Sequence, residues 1–493
     1  MIVKDADGNA AVLTGGMAID ILSRSEVLGT EWLEISYETG GVTYTGFIDS
    51  VYAVTPETEV DFETKLEQQG FPESYKVYLR ALHEKYPNWQ FKAYHTGLDW
   101  NTVIAKENVI GVNLIPNSKS VEWKSLEKGA YNWKTDSFIV YDGSYWVTVS
   151  KEGLEYYMDP RNWLSENYIF MFELLKYQSD YQTLEGVEKI LRNTVFSNAS
   201  YNYTDLDGNP GTITYGETII AAAEYSGVSP YHLASRIKQE VVYSSTTVSD
   251  SVSGTFAGYE GLYNFFNIGS YNSTAQGGAI ANGLKYAKYG SSNATYNANA
   301  LIPWTSPYRS IVGGGWILGY NYIVGRDQNT IYLQKFNVTP TATYSHQYMG
   351  NVEAPWAEAM KVLAAYGSDA YELPIVFSIP VYENMPEVAC AAPAKAYNPN
   401  NWLQNLNVTD TAGNHLVLSP TFDMTANQEY AVILDPSCDA VTLGGTTVSA
   451  KAKLSGAGTY PLEYGLNRLV LYVTAENGET REYIINVVRE GGQ

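Results

Sequence analysis

The hydrophobic pattern changes period twice along the chain, and that confines the fold to strands at both ends with helices between them. Residues 1–54 alternate polar and apolar in short runs, AVLTGGMAIDILS, WLEISYE and VTYTGFIDSVYAV, broken by glycine-containing turns. Such alternation predicts a small all-β unit, a five- or six-stranded barrel. After the acidic run DFETKLEQQG the period lengthens, with Tyr75, Tyr78, Leu79 and Leu82 at helical spacing. Helical runs and turn signals then mix through residues 100–176, and Asp159-Pro160 predicts the cap of a long helix running toward FMFELLKY. Between about 186 and 373 short helices alternate with glycine- and asparagine-rich loops, among them the polar, exposed stretch SSNATYNANA. SIPVYENMPEVACAAPAKAYNPNN reads as a proline-rich linker. Strand patterns return in LQNLNVTD, EYAVILD, NRLVLYVTAENGETREYIINVV and their neighbours, predicting an all-β sandwich of about 95 residues.

A chain of 493 residues exceeds one ordinary core, so several domains are expected. Their expected limits are 1–54, 55–190, 191–373, a linker at 374–398, and 399–490. The 31 Lys and Arg against 53 Asp and Glu give a net charge of −22, which argues against nucleic acid and anionic membrane surfaces as partners. No apolar run is long enough for a membrane span. The 42 tyrosines and 11 tryptophans suit stacking on sugars, although core packing accounts for most individual rings. Cys390 and Cys438 match no metal-ligand or redox spacing, and their pairing is left open. The amino terminus lacks a charged start followed by an apolar core, so no secretion signal is expected in this sequence, and the near-absence of cysteine fits export and cytosol equally.

One helix carries a residue out of keeping with its face. In SPYHLASRIKQEVVYS, Ser229 and Pro230 read as an N-cap and a first-turn proline. At 100° per residue from Leu233, Ile237 falls at about 40°, Val241 at about 80° and Glu240 at about −20°, within the apolar stripe. A buried carboxylate is costly unless it is protonated or hydrogen-bonded. Glycoside hydrolysis needs a carboxylic acid that retains its proton near neutral pH, which apolar surroundings favour. Arg236, four residues earlier, offers the structural alternative of an ion pair.

Other chemistries find less support. There is no HExxH, and His83, His95, His232, His346 and His415 are scattered, so neither a metal site nor any other cofactor is expected. Neither a GxSxG elbow nor a P-loop occurs, and the two cysteines fall in the linker and the terminal strands.

The segments AAAEYSGVSPYHLASRIKQEV, GLYNFFNIGSYNSTAQGGAIANGLKYA, GGGWILGYNYI, QNTIYLQKF and HQYMGNVEAPWAEA resemble, in order and spacing, the bacterial endo-β-N-acetylglucosaminidases of glycoside hydrolase family 73. The resemblance covers roughly residues 190–373. The block with TGLDWNTVIAKE, WKSLEKGAYNW, DGSYWVTVS and YYMDPRNWL resembles the segment accompanying this domain in clostridial wall hydrolases. The run GTEWLEISYETGGVTYTGFIDSVYAV resembles bacterial Src-homology-3-like domains, and the terminal strands resemble cadherin-like β-sandwiches of bacterial surface proteins. The fold class implied is multidomain: a mainly α, lysozyme-like catalytic lobe with an α+β accessory segment, flanked by a small N-terminal β-barrel and a C-terminal β-sandwich.

The resemblance implies a peptidoglycan hydrolase, an autolysin, cleaving cell-wall glycan strands between N-acetylglucosamine and N-acetylmuramic acid, and with it a secreted or wall-associated protein whose signal peptide is trimmed from this sequence. It places Glu240 at the family's helix-borne catalytic acid and Tyr348 near the catalytic centre. Tyr263, Asn264 and Phe266 fall on the loop lining the sugar cleft, with Asn267 and Tyr271 beside them as substrate-binding positions. The usual family form has glycine where this chain has Asn267. A second carboxylate on a hairpin after the helix is missing, because residues 267–288 contain no Asp or Glu. Glu260 is the expected substitute, ahead of Asp250; attack by the substrate's own acetamido group needs neither. Two other readings stay open: a lytic transglycosylase, and a non-catalytic wall-binding or adhesion protein.

Overall fold

Alternating side chains at the N-terminus form strands β1 (Ile2–Lys4), β2 (Ala10–Val12), β3 (Asp20–Val27), β4 (Thr30–Thr39) and β5 (Val42–Asp49). They make one antiparallel sheet in the order β2-β1-β5-β4-β3. Val3, Leu33, Ile35 and Ile48 form its core on one face, while Phe47, one residue out of step with Ile48, is exposed. The expected closed barrel is not found: among the described residues β2 and β3 are unpaired edges. At three residues, β2 offers too little edge to close against β3. The computed structural model describes residues 2–4, 7–13, 17–27, 30–50, 53, 61–273, 277–345, 347–426 and 428–491. The expected boundary at residues 54 and 55 and His346 of the HQYMG segment lie outside them.

The chain divides into two compact units, residues 1–69 and 70–493. In the second, the strand Gln90–Asp99 pairs in parallel with Val376–Glu383. That second strand occupies the first part of the expected linker, and all but its last residue are buried. Its proline misled the composition argument; in a two-stranded sheet both strands are edges, where Pro380 is tolerated. Trp89, Phe170 and Phe377 pack edge to face around this pair at centroid distances of 5.1–5.7 Å.

The long helix expected after Asp159-Pro160 is replaced by two short 3₁₀ turns, Pro160–Trp163 and Ile169–Phe172. Asp159 does cap the first, accepting from the Arg161 N–H at 3.0 Å. The segment then runs extended: Leu174 N–H donates to Val376 O at 2.8 Å, so FMFELL is buried by the parallel strands and need not be helical. Glu173 is carried inward with it. One of its oxygens accepts from the Tyr366 hydroxyl, and the other has no hydrogen-bond partner among the described residues. Burial, opposed only by that hydrogen bond, pushes its carboxyl up to about 8.

Helices dominate residues 184–366, with Tyr215–Ser226, Pro230–Val241, Gly278–Tyr289, Pro307–Leu318 and Ala354–Tyr366 the longest. Two glycines set how closely these approach. A Cβ at Gly313 would lie 2.0 Å from Ala300 O, and one at Gly314 would lie 2.5 Å from the Phe266 ring, so the GGG run admits the NFF loop against the Pro307–Leu318 helix.

The C-terminal strands form a three-stranded and a four-stranded sheet, and the buried residues of both make one cluster including Leu403, Tyr430, Val441, Leu471 and Ile485. Trp402, at the start of this region, stacks on Trp133 at 5.8 Å, and Asn400 Nδ2 donates to Trp133 O at 2.8 Å. Cys390 and Cys438 are free thiols. Among the described residues no helix is long and apolar enough to cross a membrane.

Candidate active site

Ser229 and Pro230 open the helix as their chemistry requires: Ser229 Oγ accepts from the His232 N–H at 3.2 Å, and proline occupies the first turn. Leu233, Ile237 and Val241 are buried. Glu240 stands at the edge of that stripe, its side chain 26% exposed. Arg236 Nη2 donates to Glu240 Oε1 at 2.6 Å, so the ion pair anticipated from the four-residue spacing is formed. Asn267 Nδ2 donates to the other oxygen, Oε2, at 3.1 Å. Each carboxylate oxygen thus has one donor.

Two cavities share Arg236, Gln239, Glu358 and Lys361 in their walls. One, of about 530 Å³, contains Glu240. The other, of about 290 Å³, contains Tyr348 together with Tyr322 and His232. Together they form a groove along the exposed side of the Pro230–Val241 helix, with Glu240 in one part and Tyr348 in the other. Tyr348 is 57% exposed and meets Tyr322 edge to face at 5.6 Å. His232 is buried, its Nδ1 has no hydrogen-bond partner among the described residues, and burial reinforced by the Arg236 guanidinium pushes it down to about 3. It is therefore a neutral wall of the groove near pH 7.

The Tyr348 loop is held from the segment expected to accompany the catalytic lobe. Gly350 O accepts from the Leu114 N–H at 2.9 Å, and Val352 N–H donates to Leu114 O at 3.0 Å, adding a rung beside the short strand Leu114–Pro116. Gln347 Nε2 donates to both oxygens of the buried Glu107, at 3.0 and 2.8 Å. Lys335 Nζ donates to Gln347 Oε1 at 2.9 Å and to Asn113. Burial lowers Lys335 to about 8 against the opposing Glu107 charge, and burial raises Glu107. A connected polar network thus fixes the backbone on which Tyr348 stands.

The other anticipated residues divide. Asn264 and Phe266, expected to line the cleft, are buried under their loop. Asn264 Nδ2 donates to Ile268 O and Gly283 O at 2.8 and 3.0 Å, and its Oδ1 accepts from the Ile268 N–H at 3.1 Å. Tyr263 is half-buried with its hydroxyl against Gly254, while Tyr271 is exposed and its carbonyl accepts from Asn282 Nδ2. None of the residues 263–271 lines either cavity. Glu260 is exposed and also lines neither; backbone N–H groups of its own turn, Gly258 among them, hold its carboxyl below the usual range. Asp250 is exposed on the 3₁₀ turn Asp250–Val252.

Glu358 escaped the sequence reading. It comes to the groove because the Ala354–Tyr366 helix packs beside the Pro230–Val241 helix, and it pairs with Lys361 at 2.7 Å. Its one local signal is a carboxylate within the largely apolar helix APWAEAMKVLAAY, whose one other charged residue is Lys361. Among the described residues no group of three or more His, Cys, Asp or Glu side chains is placed to hold a metal ion.

No family model matches the chain. A bifunctional autolysin of Staphylococcus epidermidis is 28% identical over 174 residues, 34% of this chain and 12% of that protein. A beta-N-acetylglucosaminidase of Bacillus subtilis is 24% identical over 242 residues, 48% of this chain and 23% of that protein. The chain therefore spans less than a quarter of the length of either relative. The crystal structure of a major bifunctional autolysin superposes with a TM-score of 0.39 at 18% identity, covering 60% of this chain and 99% of that one. The chain is thus similar in sequence, over a third to a half of its length, to proteins named as an autolysin and a glucosaminidase.

Proposed function

We propose that the protein is a peptidoglycan hydrolase, an endo-β-N-acetylglucosaminidase that cleaves the β-1,4 bond from N-acetylglucosamine to N-acetylmuramic acid in wall glycan strands. The observation that carries this is the position of Glu240: a helix-borne carboxylate, half-buried, presented to an open groove with an exposed tyrosine farther along it. The sequence similarity to an autolysin and a beta-N-acetylglucosaminidase supports the same substrate class.

In this reading the glycan strand lies along the groove and Glu240 protonates the departing glycosidic oxygen. Arg236 must first turn from the carboxylate, since its guanidinium occupies Oε1 as the pair stands. The guanidinium walls both cavities, so a bound glycan reaches it. Tyr348, with Tyr322 behind it, supplies a ring face for a sugar and a hydroxyl for the charged ring of the transition state. Glu260 has no place in the groove, which leaves two routes to the anomeric carbon. Glu358, in the same wall as Glu240, activates water, or the substrate's acetamido group attacks and no second carboxylate is needed. Residues 191–373 form the catalytic domain in this proposal, and Glu107, Asn113 and Leu114, from the expected accessory segment 55–190, support its tyrosine loop. A Src-homology-3-like unit at 1–54 and a cadherin-like β-sandwich at 399–490 hold the enzyme to the wall or space it from the wall, outside the cytoplasm.

Digestion of purified sacculi, followed by mass spectrometry of the released fragments, tests the reading. New reducing N-acetylglucosamine ends are expected. Ends carrying 1,6-anhydro-muramyl groups identify a transglycosylase instead, and binding without any new ends identifies a wall-binding protein.

A further inference from the structure

We propose that Asn267 is a positioning residue for Glu240, holding the helix end and the carboxylate with one amide. The inference rests on the reading of Glu240 as the proton donor. Glu240 is the penultimate residue of its helix, so its carbonyl is among the last four that lack an intrahelical partner. Asn267 Nδ2 donates to that carbonyl at 2.9 Å and to the carboxylate Oε2 at 3.1 Å. Both partners are acceptors, which fixes the amide with its nitrogen toward Glu240. Backbone and side chain of the same glutamate are therefore tied to one group, opposite the Arg236 guanidinium on Oε1.

The backbone of Asn267 makes this possible. Its φ is +49°, in the left-handed region that glycine enters freely and asparagine better than most other residues. A glycine here satisfies the turn but has no amide; asparagine satisfies the turn and reaches the carboxylate. The residues on either side are anchored independently of the acid helix. Phe266 packs on Gly314, Phe265 N–H donates to Ser310 Oγ at 3.1 Å, and Ile268 is bound through both backbone groups to the buried Asn264. This explains why Asn264 and Phe266 lie beneath the loop: they hold the platform from which Asn267 acts.

Two substitutions in the full chain separate the amide from the turn. Asn267→Gly keeps the left-handed conformation and removes the donor; Asn267→Asp keeps the shape and sets a carboxylate against Glu240. On purified sacculi, the glycine variant is expected to melt with the wild type and to lose about 10- to 100-fold in kcat with KM unchanged, the loss of one hydrogen bond to a charged group. The aspartate variant is expected to lose more. Wild-type kcat in either folded variant overturns the inference, as does a loss confined to KM. Silence of the wild-type protein overturns this inference together with the functional reading. A wild type that cleaves, an inactive Glu240→Gln and a fully active Asn267→Gly overturn this inference alone.

Discussion

Glu173 and Glu240 are both glutamates in apolar company, yet one is 1% exposed beneath the aromatic cluster and the other faces an open groove with a quarter of its side chain in solvent. Burial holds the proton of Glu173 up to about 8, and one of its oxygens has no hydrogen-bond partner among the described residues. It lines neither cavity of the groove. Glu240 has a donor on each oxygen and faces the open groove. The pair teaches that an expensive carboxylate is not by itself a functional one. Access to the groove separates them, and burial alone singles out Glu173.

The largest effect that distinguishes them is in stability against pH. Between the ordinary glutamate value of 4.5 and about 8, the folded chain holds a proton on Glu173 that the unfolded chain has lost. The stabilisation is therefore complete below about pH 4.5 and is lost as pH rises through about 8, a difference of roughly 3–5 kcal/mol. Denaturant unfolding at pH 5 and pH 9 is expected to show this decline in the wild type and a much smaller one in Glu173→Gln. Parallel declines in the two proteins break the contrast. Next in size, Tyr366→Phe removes the hydroxyl that bonds Glu173 and is expected to cost about 1–3 kcal/mol at pH 7 with catalytic rate per folded molecule unchanged. A fall in that rate would tie Glu173 to the chemistry. The smallest effect belongs to Glu260→Gln: an exposed side chain outside the groove, for which melting temperature and rate are both expected to stay at wild-type values. A rate loss there would restore Glu260 as a catalytic group.

Local pattern made some of this legible and tertiary packing hid the rest. Ser229-Pro230 and the Leu233, Ile237, Val241 stripe define the Pro230–Val241 helix because capping and periodicity are local. Arg236 was legible as its partner for the same reason, by spacing within one helix. Val376–Glu383 was not, since a parallel partner far earlier in the chain leaves no mark beside a proline-rich stretch. FMFELLKY was misread as helix because an apolar run buried on all sides has no period to distinguish its conformation. Glu358 and the Glu107, Lys335 and Gln347 network join the site through contacts between distant segments, which no single window of sequence contains.

The most direct test compares wild type with Glu240→Gln on the same sacculi, reading new reducing ends per folded molecule. The account predicts equal melting behaviour and a rate lower by about 10²–10⁴-fold, the usual contribution of a positioned acid. Equal release of ends by both proteins would contradict it.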